Sequence, residues 1–167
     1  MKNSEQEIID IIDERNKVVG RCTKEKIYLK KHLHRIVHVL IFNNKGELLL
    51  QLRSKNKSYL PEYWGTSVGG HILSGESLKE AAVREMQEEL GVKLKLEPFG
   101  KNWFDSVDEI GLRKLLVTFK ANSDGPFRLF KDEVEKVKFF SIDEIKQTVC
   151  IGKKIHPELK FLINKYF

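Results

Sequence analysis

The segment from Ser77 to Gly91 commits this chain to a helix more firmly than any other stretch does. Ser77-Leu78-Lys79-Glu80 has capping-box spacing. In that arrangement the serine hydroxyl accepts a backbone N–H and the glutamate accepts the N-cap N–H in return. Gly91 follows Leu90 where a helix ends on a left-handed residue. Leu78, Ala82, Met86 and Leu90 recur every four residues and form one apolar stripe. At roughly 100° per residue, Glu85, Glu88 and Glu89 fall within about 100° of one another. Glu89 lies between Leu78 and Ala82 on that wheel, at the edge of the face that should be buried.

Three carboxylates at such an edge repel one another and lose hydration, at a cost of several kcal/mol each if left unpaired. A hard divalent cation resolves that conflict, because Mg²⁺ takes carboxylate oxygens and keeps part of its water. The same arrangement prepares metal-assisted attack of water on phosphorus. Three glutamates alone would more often be a solvated acidic face, and the flanking residues shift the reading. Arg84, beside Glu85 and four residues before Glu88, can hold the carboxylates in register. Gly69 and Gly70 allow a sharp backbone turn and the approach of a carbonyl to a metal. Glu76 sits just before the N-cap, within reach of that loop.

Strand-like runs surround this helix. Ile8–Thr23 reads as a hairpin turning at Asp13–Lys17, and Lys24–Lys31 as a short helix capped by Thr23. Arg35–Phe42 and Glu47–Arg53 read as strands joined by Asn43-Asn44-Lys45-Gly46. Leu112–Lys120 and Val134–Phe140 are further strands, Ser141 caps a second helix, and Pro157 opens a last one over Glu158–Tyr166. The order predicts a mixed sheet with helices packed on its faces, within one α/β domain spanning residues 1–167. No apolar run approaches the roughly 20 residues that span a bilayer. The start, Met1-Lys2-Asn3-Ser4-Glu5, has no signal-peptide pattern. Two distant cysteines, Cys22 and Cys150, give neither a disulfide framework nor a zinc signature, so the expected compartment is the cytoplasm. The formal net charge of +6, with lysines at 24, 26, 30, 31, 153 and 154, suits an anionic ligand without identifying one.

Gly70–Val92 fills every defined position of the Nudix box: Gly, five residues, Glu, seven residues, Arg-Glu, an apolar residue, any residue, Glu-Glu, any residue, Gly and an apolar residue. The chain therefore resembles the Nudix hydrolases. The resemblance implies an α/β/α sandwich with a mixed sheet and an N-terminal hairpin. It implies Glu85, Glu88 and Glu89 as ligands of Mg²⁺ or Mn²⁺, joined by the Gly69 carbonyl. Arg84 would be the orienting cation, and Glu76 would support the site by hydrogen bonding. Family members differ in which carboxylate activates water. Glu88 is one candidate, and Glu133, in a loop after the box, is another. Homodimers are common in the family.

The similarity extends to Ile12–Gly20, His32, His34 and Leu60-Pro61-Glu62-Tyr63-Trp64. Together these resemble isopentenyl-diphosphate isomerase and its bacterial Nudix relatives. The isomerase requires a cysteine before Gly-His, where this chain has Gly69. Its later Glu-x-Glu aligns with Leu112 and Lys114, and one of its metal histidines falls on Ile27. The reading is accordingly a hydrolase of a small organic diphosphate, with nucleoside diphosphate derivatives as the leading class. A non-catalytic binding module would not need the intact acidic box, and no RNA-binding motif supports a nucleic-acid partner. His34 and His71 are remnants of a metal site, contacts to substrate, or hydrogen-bonded or surface residues without a catalytic part. His38 and His156 carry no expected role. Tyr63, Trp64, Trp103 and Phe104 are candidates for stacking or for packing.

Overall fold

The computed structural model describes residues 6–106, 111–150 and 154–167, with only the backbone of residues 149 and 150. Lys153 and the first five residues, on which the signal-peptide reading rests, lie outside them. In chain order the elements are β1 (Ile8–Ile12), β2 (Val18–Thr23), α1 (Lys24–Leu29), β3 (His34–Phe42), β4 (Leu48–Arg53), β5 (Trp64–Gly65) and β6 (Val68–His71). They continue with α2 (Leu78–Leu90), β7 (Glu97–Asp105), β8 (Arg113–Asn122), β9 (Val134–Phe140), α3 (Ile142–Cys150) and α4 (Pro157–Tyr166).

β1 and β2 form a separate hairpin, and the other strands build one mixed sheet in the order β5-β4-β3-β8-β7. β6 pairs antiparallel with β3 and β9 with β4, while β3 and β8 run parallel along their whole length. Alternation along β3 explains the layering. Val37, Val39 and Ile41 pack with Ala81, Ala82, Met86 and Leu90 of α2. Ile36 and Leu40 turn the other way, onto Leu159, Leu162 and Ile163 of α4. One helix on one face and α3–α4 on the other give the α/β/α arrangement. Among the described residues no helix is long and apolar enough to cross a membrane.

Three strands were not foreseen. β5 has only two residues. β6 reads Val-Gly-Gly-His, and glycine weakens the pattern of a strand. β7 carries Pro98 and Gly100 around a register shift. It is an edge strand, where proline is tolerated. The predicted strand at Leu112–Lys120 is shifted to Arg113–Asn122, because its ends follow the pairing with β3 and β7.

Candidate active site

The capping box forms as expected: Glu80 N–H donates to Ser77 Oγ at 3.2 Å and Ser77 N–H to Glu80 Oε2 at 2.8 Å. Gly91 closes the helix at φ 66°. The hairpin braces the loop that feeds α2, since Ser74 N–H donates to Ile8 O and Leu73 bridges to Ile9. The loop is thereby fixed to the backbone of β1.

Arg84 sits at the centre of the polar cluster. Its Nε donates to Glu76 Oε1 at 2.6 Å and its Nη2 to Glu76 Oε2 at 2.9 Å, a two-pronged pair. Nη1 reaches Glu85 at 2.7 Å and Glu88 at 3.1 Å, and Nη2 also donates to the His71 carbonyl at 2.8 Å. Burial opposes the charge on Arg84, but Glu76 and Glu85 outweigh it and hold the guanidinium above its usual range. Burial likewise works against ionised Glu76, yet the bonds from Arg84 and the Leu73 N–H keep it below the ordinary carboxylate value. One cation thus ties strand, loop and helix together and draws in Glu76, Glu85 and Glu88.

Glu89 is set apart from that cation. It is 3% exposed, and its Oε2 accepts from Gln51 Nε2 at 3.0 Å and from the Gly69 N–H at 3.2 Å. Burial, and then the nearby Glu85 charge, push Glu89 up to about 8. Burial pushes Glu85 up to about 7 against the opposing pull of Arg84.

Gly69 and Gly70 do not make the sharp turn expected of them. They lie within the paired strand β6, opposite His38 and Val37. Their use is clearance, since a Cβ on Gly70 would overlap the Glu85 carboxylate. Gly70→Ala should therefore fold, because the carboxylate end of Glu85 can swing aside, while turnover drops at least tenfold. Paired thermal melts and steady-state rates would check this, and an unchanged rate would remove Gly70 from the site.

Glu133 lies in the turn immediately before β9, at the loop–strand junction. It pairs with Lys57, and its N–H donates to Phe130 O at 2.9 Å. Both Lys57 and Glu133 act electrostatically on Glu89, which brings this loop to the rim of the cluster. Lys57 and Gln51 were missed in the sequence. The signal for Gln51 was available, as a lone amide inside the apolar run Leu48-Leu49-Leu50-Gln51-Leu52.

Behind β6, on the face toward α4, lies a buried polar network to which no role had been given. Lys114 Nζ donates to Glu158 Oε1 at 2.8 Å, and His38 Nε2 lies 3.1 Å from Glu158 Oε2. His38 Nδ1 meets Thr66 Oγ1 at 2.8 Å. His156 was expected to do nothing, but its Nδ1 accepts the Glu158 N–H at 3.3 Å and caps α4. His34 and His71 stack with centroids 5.6 Å apart, and His71 Nε2 meets Tyr28 Oη at 2.8 Å. Burial holds His34 down to about 4 and lowers His71 as well, so both rings are neutral. The candidate stacking aromatics are largely engaged: Trp64 packs edge-on against Phe140, Arg113 lies over Trp103, and Phe104 packs against Phe161.

In the present side-chain positions, no three His, Cys, Asp or Glu groups among the described residues are gathered to hold a metal ion. The donor chemistry nevertheless fits a hard cation. The buried Glu89 and the partly buried Glu85 are carboxylates resisting ionisation, Glu88 is part of the same Arg84 cluster, and the Gly69–Gly70 backbone presses against them.

Residues 32–159 match the NUDIX domain. The uncharacterized Nudix hydrolase PA4841 of Pseudomonas aeruginosa is 34% identical over 137 residues, covering 81% of this chain and 79% of that protein. The uncharacterized Nudix hydrolase YfcD of Escherichia coli K12 is 31% identical over 139 residues, covering 83% and 76%. Among solved structures, that of DR0079 from Deinococcus radiodurans superposes with a TM-score of 0.85 at 25% identity, over 96% of this chain and 99% of that one. The chain belongs to the Nudix hydrolase family, whose members typically use a divalent metal, and pyrophosphohydrolase activity is the expected chemistry.

Proposed function

We propose that this Nudix hydrolase uses Mg²⁺ or Mn²⁺ to cleave the diphosphate link of a small organic diphosphate, with nucleoside diphosphate derivatives the first class to test. The reading takes residues 1–167 as one cytoplasmic Nudix unit without a membrane partner, admits a homodimer, and ranks nucleic acid behind small diphosphates while keeping RNA in the test. The carrying observation is the buried Glu89 beside the partly buried Glu85, whose ionisation is opposed and which abut the Gly69–Gly70 backbone. Glu85, Glu88, Glu89 and the Gly69 carbonyl would hold the cation. When bound, that cation neutralises charge on non-bridging phosphate oxygens and makes water more acidic. Arg84 keeps Glu85 and Glu88 in register, and Glu76 anchors Arg84 to the loop.

Glu133 serves as the general base in this reading. Its carboxylate stands at the rim, paired with Lys57, in the turn just before β9. Glu133→Gln should lower kcat by about 10²-fold or more, as removal of a general base does, with Mn²⁺ affinity little changed. Near-normal kcat would return the role to Glu88.

The chain also resembles the isomerase-like bacterial branch, but the structure around Gly69 favours hydrolysis. Gly69 has no proton to give, and a Cβ there, 3.1 Å from His38 Nδ1 and 3.3 Å from Cε1, would require the buried ring to give by a few tenths of an ångström. The test is a panel of nucleoside di- and triphosphates, nucleotide sugars, dinucleotides, capped RNA and isoprenoid diphosphates, scored by product identity. Metal-dependent phosphate-ester products support the hydrolase. Enzyme-dependent deuterium uptake by isopentenyl diphosphate in D₂O would overturn it in favour of the isomerase.

A further inference from the structure

We propose that Gln51 is a positioning residue of the same site, clamping the Glu89 carboxylate with its amide N–H while its carbonyl Oε1 accepts a hydrogen bond from a water molecule held there. The proposal rests on the hydrolase reading. Gln51 is 4% exposed in β4, one alternation from Leu49, which packs in the core against α2. Its Nε2 and the Gly69 N–H both donate to Glu89 Oε2. Two donors on one oxygen fix the rotation of the carboxylate and leave the second oxygen to act as a ligand.

The other half of the amide is unsatisfied. Gln51 Oε1 is buried without a hydrogen-bond partner among the described residues. In the ionised form of Glu89 that would hold a metal, reversing the amide would set the carbonyl oxygen against a carboxylate oxygen. A buried acceptor of this kind calls for a donor beyond the described residues, and water beside a carboxylate cluster supplies one. A residue needed only for packing in this apolar strand would have no use for an amide.

Gln51→Met keeps length and removes both hydrogen-bonding functions. It should weaken Mn²⁺ binding, followed by electron paramagnetic resonance on the folded protein, by about 10- to 100-fold, as loss of a residue orienting a metal ligand does. It should also lower kcat with little change in KM. Gln51→Asn keeps the amide but withdraws it by one methylene, and should show the same two losses. Glu89→Gln is measured alongside. Wild-type Mn²⁺ affinity and kcat in either folded Gln51 variant, with both lost in Glu89→Gln, would overturn the role of Gln51 and leave the hydrolase standing. Retention of both in Glu89→Gln would sink the metal-site reading, and with it this one. Should Gln51→Met fail to fold, Gln51→Asn decides alone.

Discussion

Glu89→Gln should lower kcat by about 10²- to 10³-fold, the scale of losing one preorganised charge-stabilising group, while making the metal-free protein more stable at alkaline pH. The two effects have opposite signs because they act on different states. In the fold, burial raises Glu89 from 4.5 to about 8. The native state therefore holds its proton more tightly than the unfolded chain does. The contribution of Glu89 to the stability of the metal-free protein therefore falls as pH rises from about 4.5 to about 8, and levels off above. Glutamine cannot ionise, so the variant loses that part of the slope and keeps the parts due to Glu85 and to the buried histidines. Added Mg²⁺ should reverse the trend in the wild type, because the cation binds the ionised carboxylates, and its stabilisation should grow through the same pH range. Thermal melts from pH 5 to 9 in EDTA and in Mg²⁺, beside turnover rates, would check this. Undiminished turnover in the variant, or full activity in excess EDTA, would remove the metal assignment.

Lys114→Met should destabilise the protein by about 3–5 kcal/mol, the cost of stranding one partner of a buried ion pair. Lys114 and Glu158 are each 5% exposed and 2.8 Å apart. Burial opposes the charge on both, yet Lys114 is held above its usual range and Glu158 well below its own, the agreement in sign expected of a true pair. Across neutral pH both charges are present and the pair is intact. As pH falls toward the depressed Glu158 value, its contribution is lost. Replacing both partners, as Lys114→Met with Glu158→Leu, should recover much of the loss, since no charge is then stranded. Chemical denaturation of the single and double variants measures this. A harmless Lys114→Met would mean that the pair is hydrated.

What the sequence disclosed follows the range of the interactions concerned. Helix α2 was legible because caps, stripe and carboxylate face are all set within a few turns. The link between Arg84 and Glu88 was legible for the same reason, and its two-pronged grip on Glu76 less so, because it depends on the loop folding back. Strand β6 was hidden by its two glycines, whose purpose shows only when Glu85 is seen against Gly70. Gln51 reaches Glu89 from a strand 38 positions earlier. Lys114 faces His34 only through the parallel register of β3 and β8. His38 and His156 looked idle because Glu158, which joins them, arrives from the last helix. Glu133 was placed near the site by analogy with other family members, and its pairing with Lys57 was not readable at all.

In the proposed reaction the carboxylates of α2 hold the cation while water attacks phosphorus, and isotope placement tests that attack most directly. A hydrolysable diphosphate from the panel is turned over in H₂¹⁸O with Mg²⁺, and the products are read by mass spectrometry and ³¹P NMR. The account predicts one solvent ¹⁸O in one of the two phosphoryl products, the same position throughout, with Mg²⁺ required and Glu89→Gln nearly silent. Cleavage that places solvent oxygen on carbon, or that proceeds equally in EDTA, would contradict it.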